Sequence, residues 1–347
     1  MLLEHLKCAN PQEWVRPREQ ETKVGQAIAC LRDGENITQA LAHHYQEGCR
    51  VAILGIPESI GPQANCGHSG AEKGWQAFLQ SFSNLQATSA IPAQDVLLVG
   101  EVECADLQAQ ADALDASDPH YLVRLRELCE QLDQRVLSVL TPVYQAGFDL
   151  VVIGGGHNNA YPLLKAGYET SQRPFASVNL DPHADFRPRE GRHSGNGFSY
   201  AYMEGALAHY HVMSLHAGKN SAVSLKQLHD AGFTYHSIHR LYDMQFVDAL
   251  TEVSELVHGW GAPLGIEVDV DAIMQAPASA LNYTGVSMPQ AYRFVSELAR
   301  YADTRYVHLA EAAPARHPAG EEAGMLACGQ LLTELTLAYL FGREKRP

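Results

Sequence analysis

Three carboxylate and imidazole side chains alternate directly after an apolar, strand-like stretch of the chain. Residues 175–180 are mostly apolar, and Asp181, His183 and Asp185 follow them. Alternate residues of an extended segment point to the same side, so these three groups can converge on one point. Such groups at the end of a buried strand are costly unless they hold a cation. The alternative is a polar loop followed by a capped helix, and this segment alone does not decide between the two.

Two further segments carry the same chemistry at the ends of predicted strands. Residues 149–153 form a short, mostly apolar run that leads through three glycines to His157. The glycines allow a tight turn that brings His157 towards a neighbouring strand end. In a later strand-like stretch, Glu267, Asp269 and Asp271 alternate with apolar residues. Each segment also fits a simpler interpretation, a turn with an isolated histidine or a solvated edge strand, but the three together favour one site.

The types of these side chains indicate a site for two cations. The candidate ligands are two imidazoles and four carboxylates, without a thiolate: His157, Asp181, His183, Asp185, Asp269 and Asp271. An oxygen-rich set with some imidazole suits Mn²⁺ better than a structural zinc site. Six side chains suit two ions roughly 3.5–4 Å apart, which lower the pKa of a bridging water. Because two divalent cations balance four carboxylates, we expect the site to accept a cationic amidinium or guanidinium better than a phosphate.

Length, composition and charge narrow the class of protein. The chain has 347 residues, of which 46% are hydrophobic and 19% charged, as in an ordinary globular protein with a sizeable core. The net charge of −15 argues against non-specific binding of nucleic acid. We expect no membrane partner, because no apolar run reaches about 18 residues and the N-terminus lacks a signal-peptide pattern. Seven scattered cysteines, an odd number, favour reduced thiols and a cytoplasmic location.

Strand-like and helix-like segments alternate along most of the chain. The strands are predicted near residues 51–56, 96–99, 149–154, 175–180, 210–215, 234–238, 263–268 and 305–309. This alternation predicts an α/β fold of three layers, α/β/α, with a mostly parallel sheet of roughly eight strands. Ligands of such sheets bind at the carboxyl ends of the strands, which is where the acidic and histidine segments fall. Residues 1–48 are predicted to form a helical N-terminal extension, and residues 49–347 a single catalytic domain.

The three motifs resemble those of the ureohydrolase family, which includes arginase, agmatinase and formimidoylglutamase. The likeness spans residues 50 to 340 approximately, and residues 154–157, 181–185 and 267–271 follow the family's order of motifs. The resemblance implies an arginase-like fold and two manganese ions. One ion would be held by His157, Asp181, Asp185 and Asp269, and the other by His183, Asp181, Asp269 and Asp271. Asp181 and Asp269 would bridge the ions, and Asp185 would also orient the attacking hydroxide.

The resemblance extends to residues that would contact the substrate. Glu311 matches an acidic residue of the family that pairs with the substrate's cationic nitrogens; the alternative is a strand-end or helix-capping carboxylate. The chain is most similar to formimidoylglutamases in its Gly-Gly-Gly-His-Asn-Asn segment and in the residues around Asn196, a further candidate contact. N-formimidoyl-L-glutamate has two carboxylates, and Arg187 and Arg192 are suited to bind them. The alternative for each arginine is a solvent-exposed charge on a loop.

Departures from the family pattern leave other functions open. Gly156 stands where an Asp is usual, and Glu267 where a Ser is usual. The position of the arginase-type catalytic histidine aligns with Phe198, so His193 is the nearest candidate for proton transfer. The predicted reaction yields L-glutamate and formamide, which the resemblance places in histidine degradation. The alternatives are a ureohydrolase acting on arginine, agmatine or a guanidino acid, and a metal-poor pseudoenzyme with a binding or regulatory role. The resemblance also implies a possible homo-oligomer.

Overall fold

The fold is a central β-sheet covered by helices, and the computed structural model describes it over residues 4–347. The strands are β1 (Leu6–Lys7), β2 (Ala29–Cys30), β3 (Val51–Gly55), β4 (Val96–Val102), β5 (Asp149–Ile153), β6 (Phe175–Leu180), β7 (Leu207–Leu215), β8 (Thr234–Ser237), β9 (Leu264–Asp269) and β10 (Thr304–Ala310). The helices are α1 (Val24–Ala27), α2 (Ile37–Gln46), α3 (Ile60–Ala64), α4 (Gly74–Phe82), α5 (Ala105–Asp112), α6 (Tyr121–Gln145), α7 (Ala160–Ser171), α8 (Gly197–Met203), α9 (Ala222–Asp230), α10 (Ile238–Asp243), α11 (Phe246–Trp260), α12 (Met288–Leu298) and α13 (Glu321–Arg343).

The sheet is parallel apart from one short strand at its edge. The strand order is β1-β4-β3-β5-β10-β9-β6-β7-β8, and β2 also pairs with β4. Among the strands described, β1 alone runs antiparallel to its neighbour. Every residue of β5, β6 and β9 is buried. Strands of this kind are covered on both faces, which is why they read as continuous apolar runs.

Two apolar layers fill the space between the sheet and the helices. Val151 and Ile153 belong to the layer that packs against α4, α11, α12 and α13. Leu150 and Val152, which alternate with them in β5, belong to the layer under α2, α6, α7 and α8. This alternation follows from the two-residue period of a strand. The predicted three-layer α/β fold is therefore confirmed.

The sheet contains the eight predicted strands and two more from the N-terminal segment. The sheet has ten strands, and the additional ones, β1 and β2, have two residues each. Such short strands carry no readable hydrophobic pattern. Residues 4–48 include helix α2, and they also pair with strand β4. Residues 1–3 lie outside the described residues. They belong to the predicted extension and to the N-terminus that lacks a signal-peptide pattern.

Helix α13 has the length and composition of a membrane span but the packing of a core helix. It has 23 residues, and 67% of its most apolar stretch is buried inside the fold. It packs against α4 and α12 on one face of the sheet. Burial of this extent inside the protein accounts for its apolar composition.

We predict that Gly100→Ala destabilises the docking of the N-terminal segment on β4. Gly100 has φ +135°, and an added Cβ would lie 2.2 Å from Lys7 O. Gly205→Ala is the matched control, because Gly205 has φ +76° and, among the described residues, meets no atom within 4 Å. The control should lose about 1–2 kcal/mol of unfolding free energy from its backbone conformation alone. Urea unfolding should show a larger loss for Gly100→Ala, and equal losses would contradict the close approach.

Candidate metal centre and substrate cavity

The carboxyl ends of the four central strands place the predicted ligands side by side. His157 follows β5, Asp181 follows β6, Asp269 ends β9 and Glu311 follows β10. Strands β5 and β6 are consecutive in the chain, but β10 and β9 lie between them in the sheet. A crevice forms at such a position in open parallel sheets, and ligands bind there.

His157 lies within the first group of ligands. Its Nδ1 is 3.3 Å from Asp181 Oδ2, 3.1 Å from Asp185 Oδ2 and 3.7 Å from Asp269 Oδ2. One ligand atom from each of these four residues lies within 4.8 Å of all the others. His157 is completely buried, and within residues 4–347 its Nδ1 makes no hydrogen bond of acceptable geometry. This nitrogen can therefore donate its lone pair to a cation.

His183 lies within the second group, which shares two members with the first. Its Nδ1 is 3.3 Å from Asp181 Oδ1 and 3.4 Å from Asp271 Oδ2. Asp269 completes the group, again with all ligand atoms within 4.8 Å of one another. The structure thus brings all six predicted ligands together, in the two sets that the resemblance implies. The donor set fits two adjacent divalent cations that share Asp181 and Asp269.

The carboxylates of this site repel one another in a dry environment. Burial, together with the charge of Asp181, raises the pKa of Asp185 to about 6. Burial and the charge of Asp269 raise the pKa of Asp271 well above its usual range. Burial lowers the pKa of His157, but the nearby carboxylates of Asp181 and Asp185 outweigh it and raise this pKa well above its usual range. Cations bound between these groups would offset the repulsion.

Two of the acidic residues have a backbone conformation that is rare outside glycine. Asp185 has φ +43° and Glu311 has φ +67°. Residues in this region cost about 1–3 kcal/mol and concentrate at functional sites, where the surrounding structure holds them. The Glu311 N–H donates to Gly155 O, and its carbonyl accepts from Ser279 N. The backbone conformation at these positions turns both carboxylates into the cavity described below.

The glycine-rich loop before His157 is held by a buried carboxylate from another segment. Glu58 accepts hydrogen bonds from Gly156 N at 2.6 Å, Asn159 Nδ2 at 2.7 Å and Gly61 N at 3.1 Å. A Cβ at position 156 would lie 2.2 Å from Pro62 Cδ. The departure from the family pattern at Gly156 is therefore explained by close packing, and Glu58 stabilises the loop instead.

A cavity of about 180 Å³ lies over the two ligand groups. The metal-ligand candidates that line it are His183, Asp185, Asp269 and Asp271. Its volume is below the roughly 300–1,000 Å³ of pockets for drug-sized ligands. The cavity therefore suits a small substrate that reaches the ligand groups directly.

Glu311 presents a free carboxylate oxygen to this cavity. Its Oε1 accepts a hydrogen bond from His157 N at 2.9 Å. Its Oε2 is buried and has no hydrogen-bond partner in the described part of the chain. Burial, together with the charge of Asp269, raises the pKa of Glu311 to about 8. A cationic nitrogen of a substrate would supply the missing partner and stabilise the ionised carboxylate.

Of the two arginines predicted to bind substrate carboxylates, Arg187 reaches the cavity. Its N–H donates to Gly195 O at 3.0 Å, and its carbonyl accepts from Ser199 Oγ at 2.7 Å. These bonds hold the backbone, while the side chain is 49% exposed and lies 3.5 Å from Glu190 Oε1. The guanidinium is thus positioned but still accessible to an anionic ligand.

Arg192, also predicted to bind substrate, is buried, and the structure does not bring it to the cavity. It is 1% exposed and lies outside the cavity lining in the described structure. Its three nitrogens donate to Asp133 Oδ2 at 2.7 Å, Asn196 Oδ1 at 2.7 Å and Asn158 O at 2.8 Å. Asn196, a further predicted contact of the substrate, is also buried outside the cavity lining, and its amide donates to Gly191 O at 2.8 Å. Both side chains hold the loop together.

His193, the candidate for proton transfer, does not reach the cavity either. Its Nδ1 accepts from Gly195 N at 3.1 Å, and its Nε2 lies 3.4 Å from Glu190 Oε1. Burial and nearby arginines lower the pKa of His193 to about 3. Phe198, at the position of the arginase-type catalytic histidine, packs edge-on against the His157 ring with centroids 5.4 Å apart. Phe198 supports the metal-ligand candidate His157 and has no proton to transfer.

Lys219 is a second cation at the cavity that the sequence reasoning missed. It lies in the loop after β7, which neighbours β6 in the sheet. Asn220 ties this loop to the metal-binding segment, because its Oδ1 accepts from Ala184 N at 2.8 Å and its Nδ2 donates to Pro182 O at 2.9 Å. The sequence signal for Lys219 was its position just past the end of β7, the strand that lies beside β6.

The fold and the clustered side chains define a three-layer α/β protein with a candidate site for two metal ions. The model of the arginase family matches residues 49–337. The chain belongs to the arginase family, and it is an enzyme that hydrolyses C–N bonds of amidine groups.

Individual relatives share this fold at low sequence identity. Formimidoylglutamase from Hahella chejuensis is 25% identical over 292 residues, which cover 78% of this chain and 79% of that protein. The crystal structure of formimidoylglutamase from Bacillus subtilis has a TM-score of 0.73 at 18% identity and covers 96% of this chain and 95% of that chain. Trypanosoma cruzi formiminoglutamase with Mn²⁺ has a TM-score of 0.71 at 19% identity, with coverages of 94% and 100%. These structural likenesses establish the fold.

We predict that Arg192→Ala strongly destabilises the protein. The change leaves Asp133 buried without its counter-charge, and breaking a buried pair in this way costs about 3–5 kcal/mol. Arg300→Ala is the control, because Arg300 is 50% exposed in its pair with Glu297 and should cost at most about 1 kcal/mol. Chemical denaturation measures both. A loss for Arg192→Ala as small as that of the control would show that the buried pair has no structural role.

Proposed function

We propose that this protein hydrolyses N-formimidoyl-L-glutamate to L-glutamate and formamide with two manganese ions. One observation carries the proposal. Two ligand groups that share Asp181 and Asp269 lie beneath a cavity that also contains the free oxygen of Glu311 and the cations Arg187 and Lys219. This arrangement complements a substrate with an amidinium at one end and two carboxylates at the other.

The donor atoms support manganese as the metal. Four carboxylates and two imidazoles without a thiolate are typical of sites for Mn²⁺ and similar ions. The similar formiminoglutamase of Trypanosoma cruzi, whose structure contains Mn²⁺, supports the same choice. When bound, two such ions lower the pKa of a shared water and supply a nucleophile near neutral pH.

The cavity residues orient the reactants. Glu311 Oε2 accepts a hydrogen bond from the amidinium and so holds the formimino carbon over the ligand groups. Asp185 accepts a hydrogen bond from the attacking water and directs its lone pair at that carbon. The water oxygen adds to the formimino carbon, and the bond from this carbon to the glutamate nitrogen then breaks. The departing nitrogen takes up a proton that the water released, and the products are glutamate and formamide.

Arg187 and Lys219 account for the preference for a dicarboxylate. An arginine binds a carboxylate through two parallel hydrogen bonds, whereas a lysine acts as a compact point charge. Two cations at the cavity favour a substrate with two carboxylates over arginine, which has one, and over agmatine, which has none. We thus assign the choice of substrate by this protein to the loops after β6 and β7, which contain Arg187 and Lys219.

The first test is glutamate release from N-formimidoyl-L-glutamate by manganese-loaded protein. We expect release, and we expect Asp269→Ala to abolish it because Asp269 belongs to both ligand groups. Asp303→Ala is the control, since Asp303 forms a surface pair with Arg173 and should leave release unchanged. Two bound manganese ions without glutamate release, but with urea release from a guanidino compound, would reassign the substrate. Loss of both metal binding and release would contradict the enzyme and favour a binding protein.

The second test concerns the two cations. Arg187→Ala and Lys219→Ala should each raise KM for N-formimidoyl-L-glutamate roughly 10–100-fold, because each removes a charge-assisted hydrogen bond worth about 1.5–3 kcal/mol. Lys226→Ala is the control, because Lys226 pairs with Asp230 on the surface of α9. Steady-state kinetics measure the effect. Unchanged KM in both variants would exclude this mode of carboxylate recognition.

A further inference from the structure

Glu267 is a completely buried carboxylate that takes no direct part in the proposed reaction. It lies in β9, two residues before Asp269, and pairs in register with His308 of β10. Its Oε1 accepts a hydrogen bond from Tyr306 OH at 2.8 Å. Its Oε2 lies 2.7 Å from His308 Nδ1. Two side chains of the neighbouring strand therefore fix both carboxylate oxygens.

His308 is itself held in a single orientation. Its Nε2 lies 3.2 Å from Gly154 O. A carbonyl oxygen and a carboxylate oxygen can only accept, so each ring nitrogen of His308 faces an acceptor and can donate to it. The ring is completely buried, and both of its nitrogens are engaged. His308 thus ties Glu267 to the glycine-rich loop that leads to His157.

The same Glu267 oxygen faces the far side of the metal-ligand candidate His157. Glu267 Oε2 is 3.3 Å from His157 Nε2. His157 Nδ1 points the other way, towards the carboxylates of Asp181 and Asp185. A neutral imidazole can give the Nδ1 lone pair to a cation only when the proton is on Nε2. Nε2 makes no hydrogen bond of acceptable geometry among residues 4–347, but a carboxylate oxygen 3.3 Å away favours this tautomer by its charge.

Neighbouring residues are shaped to keep Glu267 in this place. Gly265 lies two residues earlier in β9, and an added Cβ would meet Tyr306 Cζ at 2.2 Å. The glycine therefore makes room for the tyrosine whose hydroxyl holds Glu267. The serine that is usual at position 267 in the resembled family would be too short to reach these partners. Glu267, Tyr306 and His308 form one buried unit.

This buried unit does not form a third metal site, although ligand atoms of His157, Glu267 and His308 lie within 4.8 Å of one another. Both nitrogens of His308 are already engaged, one with Glu267 and one with Gly154 O. His157 would also have to use its second nitrogen. These engagements favour a supporting role over ligation.

We propose that Glu267 is a positioning residue for His157, which keeps the proton on Nε2 and directs Nδ1 at one of the two cations. The inference rests on the metal site of the proposed function, and it is independent of the substrate assigned above. It explains why a carboxylate stands at a position where serine is usual. It also supplies, from within the sheet, support for the ligand that Gly156 does not provide.

Manganese binding by Glu267→Gln tests the proposal without turnover. Removal of such a supporting partner lowers metal affinity roughly 10–100-fold. We expect one of the two manganese ions to bind more weakly by this factor, with the other unchanged, in a titration followed by electron paramagnetic resonance and metal analysis. Tyr339→Phe is the control, because it removes a buried hydroxyl that contacts Arg346 and lies outside the metal-ligand groups. A merely structural role would weaken manganese binding to a similar extent in both variants, and this result would overturn the proposal.

The tautomer of His157 gives a second measurement on the unmutated protein. Nitrogen-15 NMR of the protein loaded with diamagnetic Zn²⁺ should show His157 protonated on Nε2. Protonation on Nδ1 would overturn the proposal, even if Glu267→Gln fails to fold. Both readouts are independent of substrate. Normal manganese affinity in Glu267→Gln would overturn the role of Glu267 and leave the proposed function intact. Failure of the unmutated protein to release glutamate would overturn the proposed function and leave the role of Glu267 intact.

Discussion

Repulsion among buried carboxylates is the constraint on which the rest of the site depends. Asp181, Asp269 and Asp271 are at most 4% exposed and belong to one cluster. Charges of one sign in a dry interior are too costly to keep without a compensating cation. The sheet imposes this arrangement, because its central strands end side by side and helices exclude water from both faces. The same exclusion of water strengthens each electrostatic interaction with a substrate.

The other buried charges of the region have partners. This difference distinguishes the residues that stabilise the loops from those proposed to take part in the reaction. Glu58 accepts from the glycine-rich loop, Arg192 pairs with Asp133, and Glu267 is held by Tyr306. Such residues hold the loops at the strand ends. By contrast, Glu311 Oε2 and His157 Nδ1 are buried without a hydrogen bond among residues 4–347. His157 belongs to the ligand groups and Glu311 lines the cavity over them, so a cation and a substrate would supply the missing partners.

The metal ligands could be predicted from the sequence because their signal is local. A period of two residues at a strand end places alternate side chains together, whatever surrounds them. The burial of Arg192 could not be predicted, since it depends on a contact with Asp133, which is 59 residues away in the chain. Lys219 reaches the cavity because Asn220 ties its loop to another strand end. Strands β1 and β2 are too short to carry a hydrophobic pattern.

The central claim is that the two ligand groups hold a pair of manganese ions. Anomalous diffraction at the manganese edge, on crystals of the manganese-loaded protein, tests it most directly. The account predicts two peaks roughly 3.5–4 Å apart, one beside His157 Nδ1 and the other beside His183 Nδ1, with Asp181 and Asp269 contacting both. A single peak, or peaks away from these carboxylates, would contradict the account.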